Sequence, residues 1–183
     1  AFLGLGLILS RQQSQRADQV LSNNGLSSTY YVFNPKKKHN IKQFLTYVNK
    51  NFSHDKVQIH FESDYIPDRV LIWANYNLKS QPLAKGSSRY FSKNDFDGTI
   101  PFAVISSDTK DRVVTLQNNH YLKENNDYVT IIGELKKNNE SQNGQAVYYL
   151  STGINQPTAK ESITNYKVVV DGLNKNEANA LQH

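Results

Sequence analysis

Residues 41–62 read IKQFLTYVNKNFSHDKVQIHFE, and the hydrophobic period changes within this stretch. In its first half, apolar side chains recur at spacings of three and four, which predicts a helix over residues 38–51 with one buried face. In its second half, residues 57–62 alternate apolar and polar side chains, the period of a half-buried strand. A helix followed directly by a strand predicts a mixed α and β fold. The apolar stripe of the helix consists of Ile41, Phe44, Leu45, Val48 and Phe52.

Strand-like segments flank this unit on both sides. Residues 29–33 are aromatic and β-branched, residues 70–74 form a short apolar run, and residues 167–170 read KVVV. Each composition is typical of a strand. We therefore predict a small α/β layer, with a strand-helix-strand order, formed by residues 27–77 and 161–172.

Residues 78–160 have a different texture, because short strand-like pieces alternate with Gly, Asn and Ser turns and no long helical stripe occurs. The best strand candidates are residues 100–105, 128–135 and 146–150, and residues 138–144 fit a hairpin loop. This pattern predicts a mostly β subdomain inserted into the α/β layer. The predicted fold class is α+β, flanked by membrane-proximal helical stalks.

The first nine residues, AFLGLGLIL, carry no polar side chain, and the polar run SRQQSQR follows them. Nine residues of helix span only about 13 Å, against roughly 30 Å of bilayer hydrocarbon. We interpret residues 1–9 as the end of a truncated transmembrane helix. Two alternatives stay open: a buried strand or helix, and the remnant of a signal peptide. Residues 10–26 would then form a stalk, and residues 173–183, with a helix-compatible tail, a second one.

The amino-acid composition of the chain excludes several classes of function. The chain has 183 residues and no cysteine, which excludes disulfides, cysteine-based metal sites and thiol nucleophiles. Its net charge of +5 would attract anionic polymers. However, apart from residues 36–38 and 136–137, the basic residues are scattered among acidic ones, so we expect a solvated surface and no nucleic-acid partner.

A search for catalytic chemistry finds little. The five histidines show no metal-ligand spacing, and no serine has the context of an exposed nucleophile. The run Asp95-Phe96-Asp97-Gly98 lacks the later acidic positions of a calcium loop. We predict no catalytic, cofactor-binding or metal-binding residue. The eleven tyrosines suit either a partner-facing surface or half-buried strand positions, and the second interpretation is favoured.

Three segments carry a family resemblance. Residues 87–96 read SSRYFSKNDF, residues 100–106 IPFAVIS and residues 128–135 YVTIIGEL. Their order resembles the extracytoplasmic domain of MacB/FtsX-type ABC-transporter permeases, where a G-R-x-F-S-x-x-D turn precedes a V-A-V-I-S strand and a later Y-x-V-I-G-V strand. Two features depart from the pattern, since Ser88 replaces the glycine and residues 113–121 lack an L-G segment. The matching residues are Arg89, Phe91, Ser92, Asp95, Ala103, Val104, Ile105, Ser106, Tyr128, Ile131, Ile132 and Gly133.

The resemblance implies a domain between two membrane helices, on the extracellular side of a cell membrane, possessing no catalytic activity or cofactor of its own. A separate cytoplasmic ATPase would hydrolyse ATP, and the permease would form a homodimer or heterodimer. The stalks would carry helix motion to a domain that handles a peptide, lipid or envelope component. The similar permeases include bacteriocin-associated and antimicrobial-peptide-resistance transporters of Gram-positive bacteria. The motif residues Arg89, Phe91, Ser92, Asp95, Ile132 and Gly133 are implied to be structural.

Two other function classes remain open. One is a surface-anchored binding module, similar to a lipoprotein or adhesin, with a single N-terminal membrane anchor. The other is an exported hydrolase, which requires a cleft with convergent titratable groups. The scattered histidines disfavour the hydrolase.

Overall fold

The computed structural model describes residues 25–27, 29–137 and 147–182 in full and residues 7–11 by their backbone. Within this part of the chain, ten strands join one mixed sheet and three α-helices accompany it, so the predicted α+β class is confirmed. Inside the same ranges, no helix has both the length and the apolar character to cross a bilayer.

The strands and helices are numbered in chain order. The strands are β1 Leu7–Arg11, β2 Thr29–Phe33, β3 Gln58–Ser63, β4 Arg69–Ala74, β5 Phe102–Ile105, β6 Val113–Leu116, β7 Asn119–Glu124, β8 Asp127–Glu134, β9 Tyr148–Ser151 and β10 Tyr166–Asp171. The helices are α1 Ile41–Asn51, α2 Lys93–Asp97 and α3 Lys175–Gln182. Short 3₁₀ helices span Ser107–Arg112, Pro157–Lys160 and Ile163–Asn165.

The strand order across the sheet is β1-β2-β10-β3-β4-β9-β5-β8-β7-β6. Strand β10 runs antiparallel to both β2 and β3 and separates them. The β2-α1-β3 unit is therefore a strand-helix-strand crossover whose two parallel strands are separated by the last strand of the chain. The predicted strands at residues 29–33, 57–62, 70–74 and 167–170 are all present.

Helix α1 begins where the sequence provides a cap. The Asn40 side chain accepts a hydrogen bond from the Gln43 backbone N–H at 2.7 Å, and the Gln43 side chain accepts one from the Asn40 N–H at 2.9 Å. This reciprocal capping box satisfies two backbone donors that lack helical partners. The stripe predicted from the sequence is buried on the sheet, and Phe44 meets Phe61 of β3 edge to face at 6.0 Å.

The predicted inserted subdomain is a continuation of the same sheet. Strand β9 pairs in parallel with β4 and antiparallel with β5, so the ladder crosses the expected boundary without a break. The physical reason is that β4 is buried along most of its length, so the backbone N–H and C=O groups on both of its edges need partners from neighbouring strands. The predicted strands at residues 100–105, 128–135 and 146–150 correspond to β5, β8 and β9. The expected hairpin loop at residues 138–144 lies outside the described residues.

The N-terminal prediction requires a correction. Over Leu7–Arg11 the backbone forms strand β1, antiparallel to β2, where a membrane helix and the start of a stalk were expected. Pairing with β2 satisfies the backbone groups of a segment too short to be stable as an isolated helix. Leu26, placed in the stalk, is buried against Val32 and Val169. The remaining residues of the predicted membrane helix and stalk, 1–6 and 12–24, lie outside the described ranges.

The C-terminal helix is present, but it does not project from the body. Helix α3 buries Ala178 and Leu181 completely, and Leu173 before it is also buried. A free stalk would leave these apolar groups in water, at a cost of roughly 1.5–3 kcal/mol for the leucine alone. Packing against the core therefore replaces the expected stalk over residues 173–182.

Candidate functional site

The first motif segment folds into a tight, ion-paired turn at the start of α2. The Arg89 guanidinium donates two hydrogen bonds to the Asp95 carboxylate, at 2.6 and 2.8 Å. The Ser92 backbone N–H donates to the same carboxylate at 2.8 Å. Asp95 is 4% exposed, and these hydrogen bonds raise the pKa of Arg89. The bidentate geometry fixes the turn.

Aromatic side chains anchor this turn in the core. Tyr90, Phe91 and Phe96 are buried, with ring centroids 5.2 Å apart for Tyr90 and Phe91 and 5.9 Å for Phe91 and Phe96. Burial raises the pKa of Tyr90 to about 12. The Arg89 guanidinium also lies 5.4 Å from the centre of the Phe102 ring, at the start of β5. The turn is thereby attached to the second motif segment.

The third motif segment contacts the turn through the backbone. The N–H groups of Ser88 and Arg89 both donate to the Ile132 carbonyl, at 3.0 and 3.1 Å. Gly133 is required here, because a Cβ at that position would lie 2.7 Å from the Arg89 carbonyl oxygen. Strands β5 and β8 are also direct parallel neighbours. The structure thus brings the six predicted motif residues into one unit.

Gln156, which the sequence analysis did not single out, closes the other side of the turn. Its side-chain amide donates to the carbonyls of Asp95, Gly98 and Ile100 at 3.2, 2.9 and 3.2 Å. A single buried glutamine therefore ties the end of α2 to the approach to β5. No local sequence signal identifies such a residue, because its partners lie more than fifty positions away.

A second buried polar cluster, also missed from the sequence, surrounds Arg69 at the start of β4. Its guanidinium lies 2.8 Å from a Glu161 oxygen and 3.2 Å from a Glu124 oxygen, and its side chain is 4% exposed. Tyr166 donates a hydrogen bond to Glu161, and Arg112 lies over the Tyr148 ring at 5.3 Å. Arg69 thereby connects the β7-β8 hairpin to the segment before β10. The Arg69 guanidinium is shared between two carboxylates of the chain itself, which indicates a structural role.

His60 is the only buried histidine among those that the structure describes. His60 lies on β3 inside the sheet, 2% exposed, and burial lowers its pKa from 6.5 to about 4. Its ring hydrogen-bonds to Gln58 at 2.8 Å and packs against Tyr149. In the part of the chain that is described, no three His, Asp or Glu side chains come together as a set that could hold a metal ion.

Five of the eleven tyrosines are core residues: Tyr31, Tyr90, Tyr148, Tyr149 and Tyr166. Tyr31, Tyr148 and Tyr149 lie on strands, as the favoured interpretation expected, but they are fully buried instead of half-buried, and Tyr90 lies in the turn before α2. Tyr65, by contrast, is 75% exposed. The tyrosines therefore do not form one continuous outer face.

A groove lies beside the motif unit. Its volume is about 790 Å³, and the loop at residues 85–88, the inner edge of β8 and the β6-β7 hairpin line it. Lys110 on its wall pairs with Glu134 at 3.5 Å. The described residues that line the groove combine charged, amide and hydroxyl side chains with apolar ones, a composition that can bind a ligand.

Three comparisons with known proteins give one structural similarity. No family model and no curated protein matches the chain. A solved structure, the extracellular domain of the noncanonic ABC-type transporter YknZ from Gram-positive bacteria, is 16% identical over 96% of this chain and 87% of that chain, with a TM-score of 0.41. An overlap at this TM-score does not establish a shared fold, and nothing about this chain follows from it.

Proposed function

We propose that this chain is a non-catalytic, extracytoplasmic domain of an ABC-transporter permease. The observation that carries the proposal is the motif unit, in which the turn at Arg89–Asp95 (residues 89–95), strand β5 and strand β8 meet. These are the three segments whose order resembles MacB/FtsX-type permeases. Their mutual contacts give a physical reason for the presence of six resembling residues: Arg89, Phe91, Ser92, Asp95, Ile132 and Gly133.

The proposed mechanism is mechanical. Both ends of the described chain are incorporated in one sheet-based body, through β1 at the sheet edge and α3 against the core. A displacement applied at either of these elements would therefore move the whole body. Coupling of this kind requires a rigid element that changes position as one piece. The driving ATPase would be a separate cytoplasmic subunit or domain, and the permease would function as a dimer.

This chain contains no cysteine, so a cysteine introduced into it is a unique labelling site within the domain and can test on which side of the membrane the domain lies. In the full-length parent protein, Lys36→Cys places one thiol on the exposed surface before α1. We expect a membrane-impermeant maleimide to label this cysteine in intact cells, as detected by mass spectrometry of the labelled peptide. Labelling only after permeabilisation would contradict an extracytoplasmic domain.

A second experiment tests the transporter assignment itself. The parent protein, purified in mild detergent, is expected to copurify with a nucleotide-binding ATPase whose activity depends on the permease. Deleting the domain between its flanking segments should leave that copurification intact and abolish transport. Location outside the membrane without any associated ATPase would reject the permease and retain a binding function.

A surface-anchored binding module is the second candidate. One observation fits it: β1 and α3 both pack on the body of the domain. A binding module held by one anchor needs no force-bearing connection at its C-terminal end. Membrane topology distinguishes the two, because a permease crosses the bilayer again after this domain and a single-anchor protein does not.

A further inference from the structure

Strand β6 is the terminal strand of the sheet and, apart from its length of four residues, carries none of the sequence features that normally protect an edge. It reads Val-Val-Thr-Leu, without a charge or a proline, and its register with β7 has no bulge. Thr115 and Leu116 are exposed, and Leu116 retains 50% of its accessible surface. Natural proteins usually place lysine, proline or a bulge on such an edge to prevent unwanted pairing. An edge without them is competent to accept another strand.

The turn geometry identifies which backbone groups face outward. Gln117 and Asn118 both have positive φ, 49° and 69°, the signature of a type I′ two-residue hairpin. In such a hairpin Leu116 and Asn119 form the closing hydrogen-bonded pair, so the next pair, Thr115 and His120, is not hydrogen-bonded through the backbone. The N–H and C=O of Thr115 therefore point away from β7, toward the open edge.

The groove described above continues from this edge across one face of the hairpin. Val113 and Thr115 of β6 contribute to its lining, together with Ile131 of β8. An added strand would direct alternate side chains toward this groove, because successive side chains point to opposite faces. The edge would form backbone hydrogen bonds with the added strand, and the groove would determine which of its side chains are accepted.

The charged side chains that line the groove favour an acidic partner. Its lining includes Lys85 and Lys110 but only one acidic side chain, Glu134, and Lys110 already pairs with that one. Among the described residues, no acidic side chain forms a salt bridge with Lys85. The surplus positive charge is complementary to an acidic segment.

We propose that β6 binds an extended, acidic segment of a partner protein, which adds a strand to the sheet with its side chains beside the groove. This mode of recognition is β-strand addition. A second copy of this chain is the less favoured occupant, because the net charge of +5 on each copy opposes self-association. The inference goes beyond the proposed function and holds equally for a permease domain and for a binding module.

The test uses the full chain and a phage-displayed library of random dodecapeptides, with Thr115→Pro as the counter-selection. Proline removes the outward N–H of Thr115 and leaves the β6-β7 hydrogen bonds in place. Thr115→Val is the matched control, because it also loses the side-chain contact to His120 but keeps the N–H. Urea unfolding establishes that both variants are folded.

Enriched peptides are expected to be acidic and to alternate apolar with polar residues. Thr115→Pro should weaken the best synthetic peptide by about tenfold or more, and Thr115→Val should not. Lys85→Gln should weaken it by about two- to fivefold at low salt. N-methylation of alternate peptide amides should abolish binding to the unmodified chain, a measurement that does not depend on the folding of any variant.

Three results would overturn the proposal. One is the absence of any peptide enriched over the Thr115→Pro counter-selection. Another is equal binding of the N-methylated and unmodified peptides, which would show that no strand is added. The third is a dimer that Thr115→Pro dissociates, measured by light scattering, which would assign the edge to self-pairing.

Discussion

At the scale of single residues, Asp95 is the carboxylate on which the motif turn depends. It is 4% exposed and accepts charge-assisted hydrogen bonds from Arg89 and from the Ser92 backbone. We expect Asp95→Asn to lower the free energy of unfolding by about 1.5–3 kcal/mol, because the amide cannot replace those acceptor interactions. Urea titration measures this loss.

Asp97→Asn is the control for that experiment. Asp97 is two positions away and pairs with Lys93 across one helical turn, but its side chain is 54% exposed. An exposed pair contributes at most about 1 kcal/mol. Equal effects of the two substitutions would show that the buried turn has no special role.

The lowered pKa of His60 predicts that the free energy of unfolding depends on pH. Its pKa is lowered by burial from 6.5 to about 4, so between these values the unfolded chain binds a proton that the folded chain does not. Stability contributed by neutral His60 is therefore complete above about pH 6.5 and is lost as the pH falls toward 4, by up to about 3 kcal/mol. Below that range both states are protonated and the loss stops.

The measurement compares urea unfolding of the unchanged chain and of His60→Gln across this pH range. The difference between the two stabilities should change with pH, because only the unchanged chain has a titrating group at this position. Parallel pH profiles would mean that His60 is not the buried group described above.

The guanidinium of Arg69 balances the negative charges of two carboxylates, those of Glu124 and Glu161. Arg69→Met keeps the volume of the side chain but leaves Glu124 and Glu161 without their cation. We expect a loss of about 3–5 kcal/mol in the free energy of unfolding. Lys110→Met, which removes a 67% exposed lysine from Glu134 at 3.5 Å, should cost less than about 1 kcal/mol. A small effect of Arg69→Met would indicate that the carboxylates are well hydrated.

At the scale of elements, the packing of the motif turn on β8 depends on Gly133. A Cβ there would approach the Arg89 carbonyl oxygen to 2.7 Å, a contact with backbone that cannot be relieved by rotating a side chain. Gly133→Ala should therefore destabilise the protein by about 2 kcal/mol or more. Gly98→Ala is the control, because its Cβ would lie 3.4 Å from the nearest atom. Equal unfolding midpoints would exclude close packing of the two segments.

The elements that the sequence predicts well are those with a strong local period. Helix α1 and strand β3 lie within a few residues of the predicted ranges, because each has one apolar face that local spacing reveals. The hairpin β6-β7 was missed, since β6 has only four residues, β7 is mostly polar, and the Gln-Asn turn lacks the glycine of the common hairpin signal. Strand β1 was predicted as a helix because an apolar run without polar spacing has no readable period.

At the scale of the whole molecule, the order of the strands was not predictable from local patterns. Strand β10 inserts between β2 and β3, and β9 joins the two predicted subdomains into one sheet. The buried partners Arg69 and Glu161 are 92 positions apart, a distance that no spacing rule connects. The motif residues of the candidate site were identified by resemblance, whereas Gln156 and the β6 edge emerged only from the fold.

The described strands form one continuous sheet, and the proposed mechanism requires this sheet to move as a single body. Single cysteines at exposed Lys36 and Lys123 give spin-label sites near opposite ends of the sheet. In the intact parent transporter, the distance between these two labels within one domain should stay constant through the ATPase cycle. The decisive measurement is the distance between equivalent Lys36→Cys labels on the two permease copies. It is determined by pulsed electron paramagnetic resonance in the nucleotide-free state and after hydrolysis with vanadate, which traps ADP in the ATPase. The account predicts a shift of this distance while the distance inside each domain is unchanged. Identical inter-copy distances in both nucleotide states, with ATP hydrolysis intact, would contradict it.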